Sequence, residues 1–151
     1  MIAAAYMNSA PNSEGVGRPA KVSKEEIAGI VTALELFVDT DQDAQRADWH
    51  QKAQMVVTGL QEITGVRAIL VDAKPELQDS HSGHARAIVS WDTATTGLTD
   101  EDVIARLKEG DPPIYLGTAG PEGGIAVVPV NLCKGEAEII VDRLRKILGG
   151  D

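Results

Sequence analysis

ARAIVSWDT, residues 85–93, is the stretch of the sequence that decides the fold. Its residues alternate between an apolar side and a mixed side, which is the pattern of a β-strand with one face against a core. The segment VRAILVDA at 66–73 predicts a second strand, and only the polar loop at 74–83 separates the two. The core-facing residues of the first stretch are expected to be Ala85, Ala87, Val89 and Trp91.

Two shorter strands are expected further along the chain. Asp111-Pro112-Pro113 enforces an extended backbone that leads into a strand at 114–116. The glycine-rich turn at 117–124 then returns the chain into a strand at 125–130. Between the two strand pairs, Thr99 and Asp102 are spaced as a capped start for a short helix.

A long helical pattern precedes the strands. Ser23 and Glu26 have the spacing of a capping box. Apolar residues then recur every three or four positions, which predicts one buried stripe. The acidic turn at 39–43 interrupts the stripe, so we expect either two helices or one long kinked helix up to Gly65. The stripe before the turn consists of Ile27, Ile30, Val31, Leu34 and Val38, and the stripe after it of Trp49, Ala53, Val56, Leu60 and Ile63.

The order of the elements predicts an α+β fold. A small, mainly antiparallel sheet is covered by the long N-terminal helix, or kinked helix pair, and by a C-terminal helix over 139–148. Residues 1–22 contain prolines and glycines that break any regular pattern, so we expect them to form an irregular connecting arm. Residues 23–151 then form one domain.

The composition excludes several classes of partner. The 151 residues carry a net charge of −9, which argues against non-specific binding to nucleic acid or anionic membranes, because both need a basic face. No apolar run approaches the roughly 20 residues of a membrane span. Cys133 is the only cysteine, so it forms no intrachain disulfide. We expect a soluble, cytoplasmic protein in which Cys133 is a small, partly buried residue.

Several motif-like patterns fail on their context. GVGRPA at 15–20 matches a dinucleotide-binding fingerprint by letter, but no strand precedes it and a proline lies where the helix should run. The turn at 117–124 lacks the Gly-Lys-Ser/Thr of a phosphate loop and is expected to be a hairpin turn. The acids at 39–43 lack the glycine and glutamate of a calcium loop and are expected to be a solvated helix break. His81 and His84 have no identifiable third metal ligand.

The stretch GVGRPAKVSKEE at 15–26 is the candidate site for an anion. Glycines let backbone amides turn toward an anion, and the start of a helix adds partial positive charge. Arg18 can donate two parallel hydrogen bonds to a carboxylate or phosphate. Lys21 and Lys24 are further candidates. The alternative is that both lysines are solvated and that Arg18 pairs with one of the two glutamates that follow.

A longer resemblance begins at the same place. NSAPNSEGVGRPAKVSKEEIAGIVTALELFV at 8–38 resembles a segment of the selenocysteine synthase-like group of pyridoxal phosphate enzymes, in the fold-type I aminotransferase superfamily. The group includes seryl-tRNA selenium transferase and D-glucosaminate-6-phosphate ammonia-lyase. The similarity continues through LKEGDPPIY at 107–115 and GEAEIIVDRLRKIL at 135–148, and so covers nearly the whole chain.

The resemblance implies the C-terminal small domain of such an enzyme together with its connecting arm. In the family, a large N-terminal domain binds pyridoxal phosphate through a lysine in a Gly-Gly-Lys-type setting, and none of the seven lysines of this chain has that setting. The large domain is therefore an implied partner, in the same gene or as a separate chain, and the complete enzyme is expected to be a homo-oligomer. This chain alone is expected to bind no cofactor covalently and to be inactive.

The implied activity is that of a lyase or transferase acting on an amino acid or amino sugar acid, with Arg18 facing the active site. Members similar to the ammonia-lyase place an arginine shortly after the PPIY-like strand and an Asp-Pro-Arg near the next strand. The corresponding stretches here are Leu116-Gly117 and Val128-Pro129-Val130, which argues against specificity for a phosphosugar acid. The alternative, from another class, is a stand-alone interaction or regulatory domain, or a decayed remnant, that pairs through its helix stripe.

Overall fold

The computed structural model describes residues 1–8, 22–72, 83–120 and 123–150. Backbone contacts divide the chain into two units, Met1–Asp41 and Gln42–Asp151. The boundary coincides with the acidic turn at 39–43, so the predicted helix break is confirmed and the long helical pattern forms two helices.

The first unit contains α1 (Ile2–Met7) and α2 (Lys24–Asp39). α2 begins at the predicted capping box: the Glu26 amide donates to Ser23 Oγ at 3.1 Å, and the Ser23 amide donates to a Glu26 carboxylate oxygen at 2.7 Å. The prediction of an irregular arm is wrong for Ile2–Met7, because its consecutive alanines favour a helix.

The apolar stripe of α2 is exposed, contrary to the prediction that it is buried. Neither α1 nor α2 contains a buried residue. Ile30 and Leu34, in the middle of the stripe, are 61% and 58% exposed. The described part of this unit consists of one short and one longer helix, which is too little chain to bury a hydrophobic stripe within itself.

The second unit is an antiparallel sheet with helices on one face, which confirms the predicted α+β fold. The strands lie in the order β1-β2-β4-β3, and every neighbouring pair is antiparallel. In chain order the elements are α3 (Gln42–Leu60), β1 (Val66–Val71), β2 (Arg86–Trp91), α4 (Thr93–Thr96), α5 (Asp100–Lys108), β3 (Gly117–Thr118), β4 (Ile125–Val127), a 3-10 turn (Pro129–Asn131) and α6 (Glu136–Gly149).

Hydrogen bonds at the chain turns explain where α4 and α5 begin. The Asp102 amide donates to Thr99 Oγ1 at 3.2 Å and the Thr99 amide donates to an Asp102 carboxylate oxygen at 3.0 Å, so the predicted cap of α5 is confirmed. Hydrogen bonds from the Thr99 amide and the Thr99 hydroxyl to the Asp102 carboxylate hold the pKa of Asp102 below its usual range. Asp92 is itself the N-cap of α4: its carboxylate accepts hydrogen bonds from the Thr95 hydroxyl and the Ala94 amide, and these lower its pKa.

The third strand lies later in the chain than expected. The Ile114 amide donates to the Leu107 carbonyl at 2.9 Å, which ties the predicted strand at 114–116 to the end of α5. The two preceding prolines have no amide hydrogen to donate to a neighbouring strand. Pairing therefore begins only at Gly117, and β4 ends before Pro129 for the same reason.

The core lies between the inner face of the sheet and two helices, α3 and α6. The predicted inner-facing residues of β2 are confirmed, since Ala87 and Val89 are fully buried. At the contact between the helices, Gly59 of α3 lies so close to Val141 of α6 that a β-carbon built on it would lie 2.5 Å from a Val141 methyl. The helices contribute buried Ala53, Val56, Val57 and Leu60 from α3, and Ile140, Val141, Leu144 and Leu148 from α6.

Candidate functional site

The face of the sheet that points away from α3 and α6 bounds a concavity of about 970 Å³. We call this face the open face. Its central residues form one apolar row across all four strands, because Ile69 pairs with Ile88, Ile88 with Ala126, and Ala126 with Gly117. The solvent-facing side of an antiparallel sheet is normally polar. An apolar row there is a feature that the fold alone does not explain.

Two arginines flank the apolar row on opposite sides. Arg67 precedes Ile69 by two residues on β1, and Arg86 precedes Ile88 by two residues on β2. Because β1 and β2 are antiparallel, the arginines lie at diagonal corners of the open face, with Arg67 opposite Ser90. Arg67 is exposed and Arg86 is half-buried. No carboxylate is present among the described residues that line the concavity.

Ala119, Gly120 and Gly123, between β3 and β4, line one rim of the concavity; the turn predicted at 117–124 is shorter than expected, because Gly117 and Thr118 belong to β3. Gly124 has φ of +84°, and a β-carbon built on it would lie 2.4 Å from the Val89 carbonyl oxygen. The Gly124 amide donates to an Asp100 carboxylate oxygen at 2.7 Å. The rim is thus held against β2 and against the start of α5.

Replacing Gly124 with alanine should lower the free energy of unfolding by about 2 kcal/mol, because the new methyl group requires both an unfavourable φ and displacement of β2. Urea denaturation measures the change. Gly117→Ala is the matched control, since nothing lies within 4 Å of a β-carbon at Gly117 and its φ is not positive. Equal stability of the two variants would show that the rim does not press on β2.

Comparison with known proteins identifies proteins of similar sequence. No protein-family model matches it. D-glucosaminate-6-phosphate ammonia lyase from Salmonella typhimurium (strain 14028s / SGSC 2262) is 28% identical over 137 residues, which make up 89% of this chain and 34% of the relative. A 5'-C-glycyluridine monooxygenase-decarboxylase from Streptomyces sp is 25% identical over 135 residues, or 89% of this chain and 33% of the relative.

A solved structure agrees with the sequence match. The structure of D-glucosaminate-6-phosphate ammonia-lyase superimposes with a TM-score of 0.63 at 28% identity, over 89% of this chain and 34% of that chain. The chain is homologous to part of D-glucosaminate-6-phosphate ammonia lyase. It spans about a third of the length of the curated relatives that it matches. The resemblance to the selenocysteine synthase-like group, which includes this ammonia lyase, is confirmed at that extent.

The positions at which the ammonia-lyase pattern predicts arginines lie at or beside the open face. Gly117 and Val128 line the concavity, and Val130 lies two residues beyond. None of these positions carries a charge in this chain. The cations of the open face are instead on β1 and β2.

The predicted anion-binding cations are not brought together by the described structure. Arg18 and Lys21 lie outside the described residues. Lys24 is the first residue of α2 and is exposed. The roles of all three therefore stay predictions.

Three smaller expectations have mixed outcomes. Cys133 is exposed rather than partly buried, because it lies in the turn between the 3-10 segment and α6. The His84 ring meets the Trp49 ring edge-on, with centroids 6.3 Å apart, and His81 lies outside the described residues. Within the described ranges no cluster of three or more metal-ligating side chains occurs, and no helix is long and apolar enough to cross a bilayer.

Sequence reasoning missed Arg67 and Arg86 as candidate site residues. The signal was present in the alternation of both strands, since each arginine has the parity of an outward-facing position. What the alternation does not give is the strand register, and only the register shows that both arginines flank the same apolar row.

Proposed function

We propose that the chain acts as the small domain of a pyridoxal phosphate-dependent lyase or transferase. The observation that carries the proposal is the match to one contiguous third of D-glucosaminate-6-phosphate ammonia lyase in both sequence and fold, over nearly the whole chain. The proposed reaction is α,β-elimination or replacement on an amino acid or amino sugar acid. When bound, the cofactor supplies an electron sink for that chemistry.

The cofactor is proposed to be held by a partner domain, because the described lysines do not fit a covalent cofactor site. Lys52 donates to the Leu132 carbonyl at 2.7 Å and pairs with Asp48 at 2.7 Å, which occupies its ammonium group. The other described lysines are exposed: Lys24, Lys108, Lys134 and Lys146. None of the five lines the concavity of the open face.

The exposed stripe of α2 supports the need for a partner. The exposed fraction of its large aliphatic residues is lowest at Val31, with 47%, and highest at Val38, with 78%. Burying a fully exposed valine or leucine is worth about 1.5–3 kcal/mol each, so covering the stripe would supply much of the energy for a stable interface. We propose that this stripe packs against the domain or subunit that carries the cofactor.

The part proposed for this chain is to close one side of the active site and to contribute Arg18. A guanidinium forms paired, charge-assisted hydrogen bonds with a carboxylate or phosphate. Arg18 is therefore assigned to the anionic group of the substrate or cofactor, with Lys21 and Lys24 adding positive potential. The elimination or replacement reaction itself requires the partner domain that carries the cofactor.

Titration with pyridoxal phosphate tests whether this chain provides the covalent site. After borohydride reduction, the isolated chain should carry no more phosphopyridoxyl-lysine than a peptide mixture with the same lysine content. A single lysine labelled to one-to-one stoichiometry would contradict the assignment of the cofactor to a partner. Mass spectrometry of the proteolysed chain distinguishes the two results.

A further inference from the structure

β1 lies at one edge of the sheet, and its outer side pairs with no strand in the described part of the chain. Immediately before β1, the Asp92 amide donates to the Gly65 carbonyl at 2.9 Å, so these two opposite residues form a hydrogen-bonded pair of the ladder. Such pairs alternate with non-hydrogen-bonded pairs along an antiparallel ladder. The backbone N–H and C=O groups of Ala68 and Leu70 therefore point away from β2 and toward the edge.

Two further observations support this orientation. The Val66 amide, which has the same parity as Ala68 and Leu70, donates to the Ile63 carbonyl at 3.1 Å and not to β2. The edge-facing groups of Ala68 and Leu70 bond to no residue among those that the structure describes. Because a backbone amide or carbonyl without a partner is unfavourable wherever water is excluded, these groups form a ready template for another strand.

The two edges of the sheet differ in how well they are protected against such pairing. Proteins protect sheet edges by keeping the edge strand short, or by placing prolines, bulges or charges in it. β3, at one edge, is only two residues long and follows two prolines. β1, at the other edge, has the sequence VRAILV, a continuous register without a bulge, and a single charged residue near its start. The contrast indicates that the edge of β1 is built to pair.

The side chains of β1 suit a second copy of the same strand. In an antiparallel pair centred on Ile69, Ala68 lies opposite Leu70 of the second copy, and every free backbone group of both residues finds a partner. Arg67 then lies opposite Val71, so like charges do not face each other. A register centred on Arg67 would place two guanidinium groups opposite each other. One centred on Ala68 would need the Val66 amide, which is already bonded.

This register also extends the apolar row of the open face. The two-fold axis of such a pair is perpendicular to the sheet, so the open faces of both copies lie on the same side. The row formed by Ile69, Ile88 and Ala126 then continues into the second copy through contact between the two Ile69 side chains. Ile69 is 39% exposed in the single chain, and pairing would bury part of that apolar surface.

We propose that a second copy of this chain pairs with β1 edge to edge, in an antiparallel register centred on Ile69, so that two four-stranded sheets form one continuous sheet. The proposal goes beyond the function proposed above, because it assigns an interface on the second unit that requires neither α2, nor a cofactor, nor turnover.

Disulfide crosslinking of the full chain tests the register. Opposite residues of a non-hydrogen-bonded pair have α-carbons about 4.5 Å apart, a distance that a disulfide spans. Ile69→Cys, combined with Cys133→Ser to remove the native cysteine, should form a covalent dimer on mild oxidation, as seen on a non-reducing gel. Ile88→Cys in the same background is the matched control. It lies in the same row but one strand further from the axis, so its two α-carbons would be about 14 Å apart and should not crosslink.

Analytical ultracentrifugation measures association without a crosslink. The unaltered chain should form a dimer, and Ile69→Lys should raise the dissociation constant at least about tenfold, because it replaces an apolar contact by two opposed ammonium groups. Ile88→Lys changes the same face away from the edge and should leave the dimer intact. Melting temperatures establish that the variants are folded, and Ile69→Glu replaces Ile69→Lys if that variant is not.

Several results would overturn the proposal. A chain that remains a monomer at every concentration, or crosslinking that is equal for Ile69→Cys and Ile88→Cys, contradicts the edge-to-edge register. Equal loss of the dimer in Ile69→Lys and Ile88→Lys would mean that the sheets pack face to face. A dimer that only Leu34→Lys dissociates would assign the association to α2, where Leu34 is exposed. None of these results bears on the cofactor-carrying partner, so the function proposed above would stand.

Discussion

Replacing Leu144 with alanine should lower the free energy of unfolding by about 3 kcal/mol. Leu144 is fully buried on α6, in the core that α6 shares with α3 and the sheet. Truncation removes apolar contacts and leaves a cavity that the neighbouring helix cannot fill without moving. Urea denaturation followed by circular dichroism measures the change, with the slope of the transition compared with that of the unaltered chain.

Ile139→Ala is the control for this prediction. Ile139 is on the same helix but is 39% exposed, and its loss should change the free energy of unfolding by less than about 1 kcal/mol. If the two substitutions destabilise the chain equally, α6 does not pack against the core through the face that carries Leu144.

Arg18→Ala should lower turnover of the assembled enzyme by about 100-fold, which corresponds to roughly 3 kcal/mol in the activation barrier. The reason is the loss of paired hydrogen bonds to an anionic group in the active site. Because the chain lacks the arginines expected for a phosphosugar acid, the assay substrate is first selected by screening amino acids and amino sugar acids for ammonia release, with D-glucosaminate 6-phosphate, named by one relative, as one member of the screen. The complex is to be isolated with its cofactor-carrying partner before activity is measured.

Arg46→Ala is the matched control for Arg18. Arg46 is exposed and pairs with Asp43 on the same helix, at 2.6 Å. Its removal should leave turnover unchanged, because an exposed ion pair contributes little. Unchanged turnover of Arg18→Ala combined with a lower melting temperature would identify Arg18 as a structural ion-pair residue and would remove it from the proposed site.

Local patterns in the sequence were sufficient for two helix starts, one in each unit, and for the inner face of β2. Capping boxes at Ser23 and Thr99 depend only on residues three positions apart, and both are present in the structure. The alternation around Ala87 likewise predicted the inner face of β2. The third strand was misplaced because the tie between Ile114 and Leu107 is a tertiary hydrogen bond that no local pattern shows.

The candidate site could be predicted only in part. A stripe such as that of α2 has the periodicity of a buried face whether or not its partner is in the same chain. Periodicity therefore predicted burial where the structure has exposure. The open face escaped prediction for a related reason, since the positions of Arg67 and Arg86 relative to each other depend on strand register and not on sequence spacing.

Isolation of the chain from its source cells tests the central claim most directly. The chain is recovered with an antibody under native conditions, treated with borohydride, and analysed by mass spectrometry for phosphopyridoxyl-lysine. We predict that this modified lysine is found in stoichiometric amount on a polypeptide that accompanies the chain or is continuous with it. A chain recovered as a monomer, with no pyridoxal phosphate in its fraction, would contradict the account and favour a stand-alone domain.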